Sequence, residues 1–232
     1  MVIENIIGNL YTKALKPSMQ INEIYSSYHY SIFVENDIYY KSPKTEYALE
    51  RLKASVPIIE KVNNPNLDTP KLVDDEFVGL YIPKSFKEIR NEDFKNFILE
   101  LCSIVKYLHS LDIYALDLKP DHIRNNKNKI YLIDWYEKSL GAQWGDPYRL
   151  FNNGEPSKTE DIYCIGNLIY FYLIGEHPFH STNPMQSLYN IRKKTPPLTY
   201  TEYDEVIQKC LNKSPMKRYQ DIDEVIKIIN LL

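Results

Sequence analysis

The sequence predicts an α+β fold with two lobes, a small strand-rich lobe over residues 1–82 and a mainly helical lobe over residues 83–232. Three observations support this division. Short runs of β-branched and aromatic residues dominate the first part. One helical pattern, at residues 45–55, interrupts these strands. Helical patterns then dominate after a Pro-Lys-Ser segment that we interpret as a hinge, at residues 83–85.

The composition is that of an ordinary globular protein. Hydrophobic residues make up 44% of the 232 residues and charged residues 25%, so the chain can bury a core. The net charge of −3 and the scattered basic residues do not form the basic footprint of a nucleic-acid-binding protein. The longest apolar stretch, residues 162–174, is shorter than the roughly 20 residues that cross a bilayer. We therefore expect neither a nucleic-acid nor a membrane partner.

The three cysteines predict a reducing compartment. Cys102, Cys164 and Cys210 fall within apolar helical patterns and lack the CxxC spacing or paired histidines of a zinc site. We expect them to be reduced core thiols and the protein to be cytoplasmic. The start of the chain lacks the apolar run of a signal sequence, because Glu4 and Asn5 interrupt it.

The strand-rich part is predicted to contain a hairpin, a helix and two further strands. The strands are expected at residues 31–34, 38–41, 71–73 and 77–82. The turn Glu35-Asn36-Asp37 separates the first two and predicts a hairpin. Ser42-Pro43 predicts a helix start, since serine is a good N-cap and proline suits the first turn. Pro57 predicts the end of that helix.

The second part is predicted to be mostly helical, with one buried strand. The helical patterns cover residues 91–110, 160–175, 203–211 and 222–231. The first is the clearest, because its apolar residues recur at helical spacing from Phe94 to Leu108. An apolar run at residues 130–133 predicts a short buried strand. The stretch 135–159 is rich in glycine and proline, and a loop this long in a compact domain is usually functional.

Residues 108–136 contain the strongest candidate for a catalytic site. Asp117 and Lys119 alternate on an extended segment, so their side chains project to the same side, and Asp134 follows the predicted buried strand. A carboxylate that accepts a hydroxyl proton, an ammonium that neutralises a transferring anion and a carboxylate that holds a divalent metal form a minimal set for phosphoryl transfer. The alternative, from these residues alone, is an ordinary solvated turn with an Asp-Lys pair.

This stretch closely resembles the catalytic loop and metal-binding motif of eukaryotic-type protein kinases. The strings ALDLKPDHI and KIYLIDWY are similar in sequence and spacing to HRDLKPEN and DFG of that family. The string TEDIYCIGNLIYFYLIGEHPF resembles a later helix of the family that carries a buried aspartate, here Asp161. The string CLNKSPMKRY resembles its closing element and supplies Arg218. The resemblance implies a protein-kinase-like bilobal fold, with a β-rich N-lobe containing one helix, αC, and a helical C-lobe.

The resemblance also implies a role for each matching residue. Asp117 would accept the proton of the substrate hydroxyl, and Lys119 would steady the γ-phosphate of ATP. Asp134 would hold Mg²⁺. The string IYYK is similar to the family's VAIK strand, so Lys41 would contact the α- and β-phosphates and pair with Glu50 of the αC helix. An unremarkable strand-end lysine and a solvated helix glutamate are the alternative for these last two residues.

Further positions are implied for the nucleotide and for a second metal ion. The string FVGLYIPKSF resembles the strand and hinge that hold adenine, which would place Tyr81 and Ile82 at the base. Gly79 falls at the family's gatekeeper position and would open the back of the adenine pocket. His122 stands where the family binds a second metal through asparagine. Imidazole suits Mn²⁺ better than Mg²⁺, so His122 is either a ligand that shifts the metal preference or a structural residue.

Several positions depart from the family pattern. The glycine-rich loop of the family aligns best with residues 26–33, which contain no glycine, so the backbone cannot approach phosphates as closely. Leu116 replaces the arginine that contacts a phosphate on the activation loop, and Tyr136 replaces the glycine of DFG. Arg218 lacks the usual glutamate partner of the family, and Glu155 is the candidate substitute.

Three functions remain open from the sequence. The first is an active protein kinase that transfers the γ-phosphate of ATP to Ser or Thr of a protein substrate, and the retained catalytic residues favour it. The second is a pseudokinase, a nucleotide-binding or scaffolding module with a protein partner, which the missing glycines, His122 and Tyr136 favour. The third is a small-molecule phosphotransferase of the aminoglycoside-kinase type, which the helices around Asp161 and Arg218 disfavour.

Overall fold

A five-stranded antiparallel sheet forms the first part of the structure and helices dominate the second, which confirms the predicted two-lobed α+β fold. The computed structural model describes residues 22–83, 94–114, 116–126, 129–136, 144–152 and 155–232, with only the backbone at residue 126. The division of the chain into residues 1–82 and 83–232 stays a prediction.

The first three strands of the sheet lie side by side in chain order, whereas the order of the last two is reversed. Its strands are β1 (Asn22–Ser26), β2 (Tyr30–Glu35), β3 (Ile38–Pro43), β4 (Lys71–Val73) and β5 (Glu76–Leu80). Their order is β1-β2-β3-β5-β4, so β5 lies beside β3. In that pairing Tyr39 is opposite Gly79 and Lys41 is opposite Phe77. This register brings the residues of the candidate site to one surface of the sheet.

The predicted hairpin is confirmed as β2 and β3. Glu35 pairs with Ile38, and the two residues between them, Asn36 and Asp37, have φ angles of 48° and 62°. Two consecutive left-handed residues are typical of the type I′ turn, whose twist matches that of the flanking strands. Asparagine and aspartate tolerate this conformation better than other non-glycine residues, which explains why the turn forms here.

The helix of the first part, α1 (Glu46–Ile59), begins later and ends later than expected. Ser42 and Pro43 belong to β3, and the N-cap is Thr45, whose hydroxyl accepts a hydrogen bond from the Ala48 backbone N–H. The predicted end at Pro57 was also wrong, because Pro57 lies inside the helix. Burial of Ile59 in the core explains why the helix continues past the proline.

The second part consists of helices and one small hairpin. Its helices are α2 (Phe94–Ser110), α3 (Pro147–Asn152), α4 (Lys158–Ile174), α5 (Pro184–Lys193), α6 (Asp204–Cys210) and α7 (Ile222–Leu231). Four of these match the predicted helices, whereas α3 and α5 were not anticipated. α3 lies inside the stretch 135–159 that was predicted to be irregular. Residues 91–93, the start of the first predicted helix, lie outside the described residues.

The core of this part forms between α2 and α4. α2 buries one side, including Ile98, Leu101 and Val105, as its apolar stripe predicts. α4 is buried on nearly all sides over its first three turns. It ends at Gly175, whose φ of 89° is the left-handed conformation that glycine adopts without steric cost. Within the described part of the chain, no helix combines the length and apolar character that a bilayer crossing requires.

A short antiparallel hairpin connects the two parts through the backbone. It consists of β6 (Ile123–Asn126) and β7 (Lys129–Leu132), and β7 was the predicted buried strand. Leu132 donates its N–H to the carbonyl of Asn66 at 2.9 Å and accepts the N–H of Asp68 at 3.0 Å. These bonds hold the segment before β4 against the end of β7, directly before Asp134.

Candidate active site

The segment that carries Asp117 and Lys119 is held in place by buried neighbouring residues. Leu116 and Leu118 are fully buried, whereas Asp117 and Lys119 are partly exposed. The Leu116 N–H donates a hydrogen bond of 2.8 Å to Asp161, which is itself fully buried and paired with His109 at 2.9 Å. Asp161 therefore fixes the backbone immediately before Asp117.

Asp117 and Lys119 contact each other directly. The Lys119 ammonium donates a hydrogen bond of 2.7 Å to the Asp117 carboxylate. Asp117 has a φ of 49°, in the left-handed region that costs a non-glycine residue energy. Strain of this kind persists where the surrounding contacts hold the backbone, and it concentrates at functional sites.

Lys41 and Asp134 form the second charged pair of the site. The Lys41 ammonium lies 2.9 Å from Asp134 Oδ1 and 4.6 Å from the ring centre of Tyr30. The Tyr136 hydroxyl also donates to Asp134 Oδ1, at 3.3 Å. Burial opposes the charge of Asp134, but Lys41 and His122 outweigh it and hold the pKa of this carboxyl well below its usual range. Asp134 is therefore ionised at neutral pH.

His122 lies between the two acidic residues. Its Nδ1 is 3.7 Å from Asp117 Oδ2 and its Nε2 is 3.8 Å from Asp134 Oδ2. Both distances exceed a hydrogen bond, and Nδ1 is buried without a hydrogen-bond partner. Burial lowers the pKa of His122 to about 4 despite the neighbouring carboxylates. The imidazole is thus neutral at pH 7, the form that can bind a metal.

The acidic residues present fit a magnesium ion held mainly by its substrate. Mg²⁺ binds oxygen and usually takes only one or two protein carboxylates together with phosphate oxygens and water. Asp134 offers an ionised carboxylate for this purpose, and His122 offers a nitrogen, which suits Mn²⁺ better. The described residues contain no cluster of three or more His, Cys, Asp or Glu side chains that could hold a metal alone.

The expected pair between Lys41 and Glu50 is absent. Glu50 is exposed on α1, whose buried positions are Ala48, Leu52, Ser55 and Ile59. A residue midway between Ala48 and Leu52 points away from the buried side of the helix. The structure therefore does not bring Glu50 to the buried Lys41 ammonium, which binds Asp134 instead.

A cleft between the sheet and the β6–β7 hairpin adjoins these groups. Its lining comprises Ile24, Ile32, Tyr39, Lys41, Asp68, Leu80, Tyr81, Ile82, Arg124, Ile133 and Asp134. Tyr81 and Ile82 thus lie in the same cleft as Lys41 and Asp134. They follow the end of β5 and are not part of it, whereas the predicted strand ran to residue 82. Apolar side chains cover the part nearest β1 and β2. The arrangement suits a flat apolar group at one end and an anionic group at the other.

Tyr39 fills the space that Gly79 was expected to open. A Cβ added to Gly79 would lie 2.6 Å from Cε1 of the Tyr39 ring, so the ring occupies the place of a larger side chain. The Tyr39 hydroxyl donates a hydrogen bond of 2.6 Å to Asp68, which is 8% exposed. Burial raises the pKa of Asp68 to about 7, against the effect of this hydrogen bond. The back of the cleft is therefore closed.

Asp146, and not Glu155, is the partner of Arg218. The guanidinium donates two hydrogen bonds to the Asp146 carboxylate, at 2.6 and 2.7 Å, and both residues are buried. Glu155 is exposed. The structure thus corrects the predicted substitute, and the two-pronged geometry is the strong form of an arginine–carboxylate pair.

Four residues of this region were missed by sequence reasoning: Tyr39, Asp68, Arg124 and Asp146. Arg124 carried a usable signal, since it follows His122 by two residues in a segment already assigned to the site. Tyr39 also carried one, as a large residue within the VAIK-like string. Asp146 lay in the glycine- and proline-rich stretch 135–159, where only Glu155 was selected as a partner for Arg218, and Asp68 lay outside every predicted helix and strand.

Comparison with known proteins gives consistent but partial matches. The chain is 29% identical to cAMP-dependent protein kinase type 3 of Saccharomyces cerevisiae over 137 residues, which cover 53% of this chain and 34% of that protein. It is 24% identical to calcium-dependent protein kinase 5 of Plasmodium berghei over 216 residues, covering 78% and 38%. It is 29% identical to Aurora kinase of Debaryomyces hansenii over 140 residues, covering 53% and 34%.

All three relatives are kinases by name, although each match covers only part of both chains. The chain spans about a third of the length of the curated relatives it matches. No protein-family model matches it. That these relatives are kinases by name agrees with the two-lobed α+β fold of this chain. The fold, the order of the motifs and these partial matches together support a relationship to the protein kinase superfamily.

Proposed function

We propose that the protein is an ATP-dependent protein kinase that transfers the γ-phosphate to Ser or Thr hydroxyls of a protein substrate. The observation that carries this proposal is the approach of two charged pairs, Lys41–Asp134 and Lys119–Asp117, on either side of His122, although Lys41 lies 93 residues from Asp134 in the chain. The Asp-Leu-Lys-Pro form of the catalytic segment resembles the Ser/Thr class.

Each residue has a defined task in this reaction. Asp117 would accept a hydrogen bond from the substrate hydroxyl and receive its proton as the oxygen attacks phosphorus. Lys119, which already contacts Asp117, would neutralise charge on the transferring phosphoryl group. Lys41 would bind the phosphates that remain on the nucleotide. When bound, Mg²⁺ would supply positive charge for the phosphate oxygens, and Asp134, assisted by His122, would hold it.

The proposed setting is the cytoplasm. Cys102, Cys164 and Cys210 are all buried and free, as expected of a protein in a reducing compartment. A reducing compartment is also where ATP-dependent phosphorylation of proteins would operate. The proposed partner is accordingly a protein that presents an exposed Ser or Thr.

A labelled-phosphate assay tests the proposed activity. The purified protein is incubated with labelled ATP, a generic basic protein and either Mg²⁺ or Mn²⁺, beside the Asp117→Ala and Asp134→Ala variants. We expect label on serine or threonine that both substitutions abolish. If neither metal supports transfer and nucleotide does not raise the melting temperature, the proposed kinase activity is rejected.

A pseudokinase is the second candidate, and the exposed position of Glu50 favours it. Lys41 is paired with Asp134 and not with a helix glutamate, and the metal ion would compete with Lys41 for this carboxylate. A nucleotide-dependent rise in melting temperature without phosphate transfer would identify this alternative. Transfer that depends on Asp117 would exclude it.

A further inference from the structure

Arg124 brings hydrogen-bond donors without acceptors to the cleft. In the β6–β7 hairpin the neighbouring Ile123 is buried in the core, so Arg124 faces the other side and lines the cleft. Its Nε and Nη1 atoms are buried, and neither has a hydrogen-bond partner within the described chain. Two buried N–H donors of a charged group are costly to leave unpaired.

Two other arginines with little exposed surface, Arg149 and Arg218, each donate hydrogen bonds to a carboxylate. Arg149 donates to Glu160 at 2.6 Å, and Arg218 donates twice to Asp146. The fold therefore supplies a carboxylate to arginines that serve its stability. An acceptor from a bound molecule would satisfy the donors that the protein leaves open.

The backbone of the β1–β2 turn offers few of the usual binding groups for phosphate. The Ser27 N–H donates to the Tyr30 carbonyl at 2.8 Å, and the His29 and Tyr30 N–H groups donate to the Ser27 hydroxyl at 3.3 and 3.0 Å. These three amides are already used within the turn. Since the turn also lacks glycine, side chains must neutralise the phosphates of a nucleotide in this cleft.

We propose that Arg124 binds the phosphates of the nucleotide and replaces the missing amide cradle. The inference rests on the proposed nucleotide-dependent function and adds a phosphate-binding residue to it. Arg124 and Lys41 line the same cleft, and the charge of Lys41 is already matched by Asp134. The guanidinium can donate two parallel hydrogen bonds to phosphate oxygens, which suits its planar geometry.

Binding measurements with truncated ligands test this role. Dissociation constants for ATP, ADP, adenosine and inorganic tripolyphosphate, each with Mg²⁺, are measured calorimetrically for the wild type, Arg124→Gln and Arg124→Lys. Arg192→Gln is the matched control, because Arg192 is exposed on α5, outside the cleft. We expect Arg124→Gln to weaken ATP, ADP and tripolyphosphate roughly 10- to 100-fold, the usual range for hydrogen bonds to charged groups, and to leave adenosine unchanged. Arg124→Lys should restore part of the loss.

Stability without ligand separates binding from a structural role. The Arg124→Gln protein should melt at the same temperature as the wild type or higher, because the substitution removes a cationic group whose buried donors lack acceptors. A lower melting temperature without ligand, or an equal loss for adenosine and ATP, would overturn the phosphate role. If the wild type binds ATP and Arg124→Gln binds it equally, this inference fails and the proposed function stands. If the wild type binds neither ATP nor tripolyphosphate, both fail.

Discussion

Lys41 of β3 and Asp134, which follows β7, form a 2.9 Å salt bridge that joins the sheet to the catalytic segment. The Lys41 side chain is 6% exposed and that of Asp134 is 22% exposed, so water screens the pair only weakly. Each residue therefore serves two purposes. It has a proposed role in binding nucleotide or metal, and it compensates a buried charge of opposite sign.

Removal of either charge alone should destabilise the fold. Lys41→Met or Asp134→Ala leaves the partner buried and uncompensated, which costs about 3–5 kcal/mol of unfolding free energy. The double variant should lose less than the sum, because neither charge remains. Urea denaturation measures all three. Lys53→Met breaks the exposed Lys53–Asp75 pair and should cost less than about 1 kcal/mol, and strictly additive losses at Lys41 and Asp134 would contradict the coupling.

Tyr39 and Gly79 should show strong mutual dependence. Gly79→Ala places a Cβ against the Tyr39 ring and should lower stability by about 1–3 kcal/mol through overpacking. In a Tyr39→Ala background the same substitution should be neutral or stabilising, because the ring is gone. Unfolding free energies of the two single variants and the double variant complete the cycle. An equal cost of Gly79→Ala in both backgrounds would show that the two residues do not share this space.

Asp68 should make stability depend on pH in a defined direction. Its pKa rises from 3.8 when unfolded to about 7 when folded, so between these values the folded state holds a proton that the unfolded state has lost. This contribution falls as pH rises from about 4 to 7. Glu160, whose pKa is also raised to about 7, acts in the same direction, whereas His122 and His177, lowered to about 4, oppose it.

The Asp68→Asn variant isolates this effect from the other groups. We expect it to match the wild type near pH 4 and to become relatively more stable up to pH 8, at about 1.4 kcal/mol for each unit of pKa shift. Its amide oxygen can still accept from Tyr39. Melting curves at pH 4 to 8 measure the difference, with the exposed Asp37→Asn as control. A constant difference between variant and wild type would contradict the raised pKa.

Asp146 should matter far more to stability than Glu155. Asp146→Ala leaves the Arg218 guanidinium buried without its carboxylate and should cost about 3–5 kcal/mol. Glu155→Ala removes an exposed side chain and should change stability by less than about 0.5 kcal/mol. Chemical denaturation of both variants distinguishes them. Similar losses for the two would place the partner of Arg218 in doubt.

His122→Asn should shift the metal preference of the proposed reaction toward Mg²⁺. The substitution replaces a neutral imidazole nitrogen with an amide oxygen, the ligand type that Mg²⁺ prefers. The ratio of initial rates with Mg²⁺ and Mn²⁺ measures the effect, and the nucleotide-dependent melting shift with each metal provides a readout independent of catalysis. An unchanged ratio and unchanged shifts would assign His122 a structural role between Asp117 and Asp134.

The pair of Asp117 and Lys119 was the most predictable part of the candidate site, because the two residues are close in sequence. Their side chains meet at 2.7 Å, although the φ of 49° at Asp117 interrupts the extended backbone that was predicted. The glutamate of α1 could not be placed in this way. Glu50 was expected as the partner of Lys41 only from the family resemblance, and the buried side of the helix, which includes the small residues Ala48 and Ser55, leaves it exposed.

Contacts between distant segments explain the other errors. Tyr39 meets Gly79 only because β5 pairs with β3, a register that spans α1 and β4. Asp146 and Arg218 are 72 residues apart in the chain, and no periodicity in the sequence predicts that they pair. The orphan donors of Arg124 become evident only when the whole cleft is assembled, since a lone arginine on a strand is normally solvated.

The Tyr39 ring occupies the space that a side chain at residue 79 would fill, and this affects which small molecules can bind in the cleft. A compound with an aromatic branch directed toward residue 79 would collide with a phenol ring, even though residue 79 itself is glycine. Tyr39 of β3, and not residue 79 of β5, therefore determines whether bulky compounds fit in this cleft. A more selective compound would carry a hydrogen-bonding group toward Asp68 and the Tyr39 hydroxyl, which together form a polar end wall.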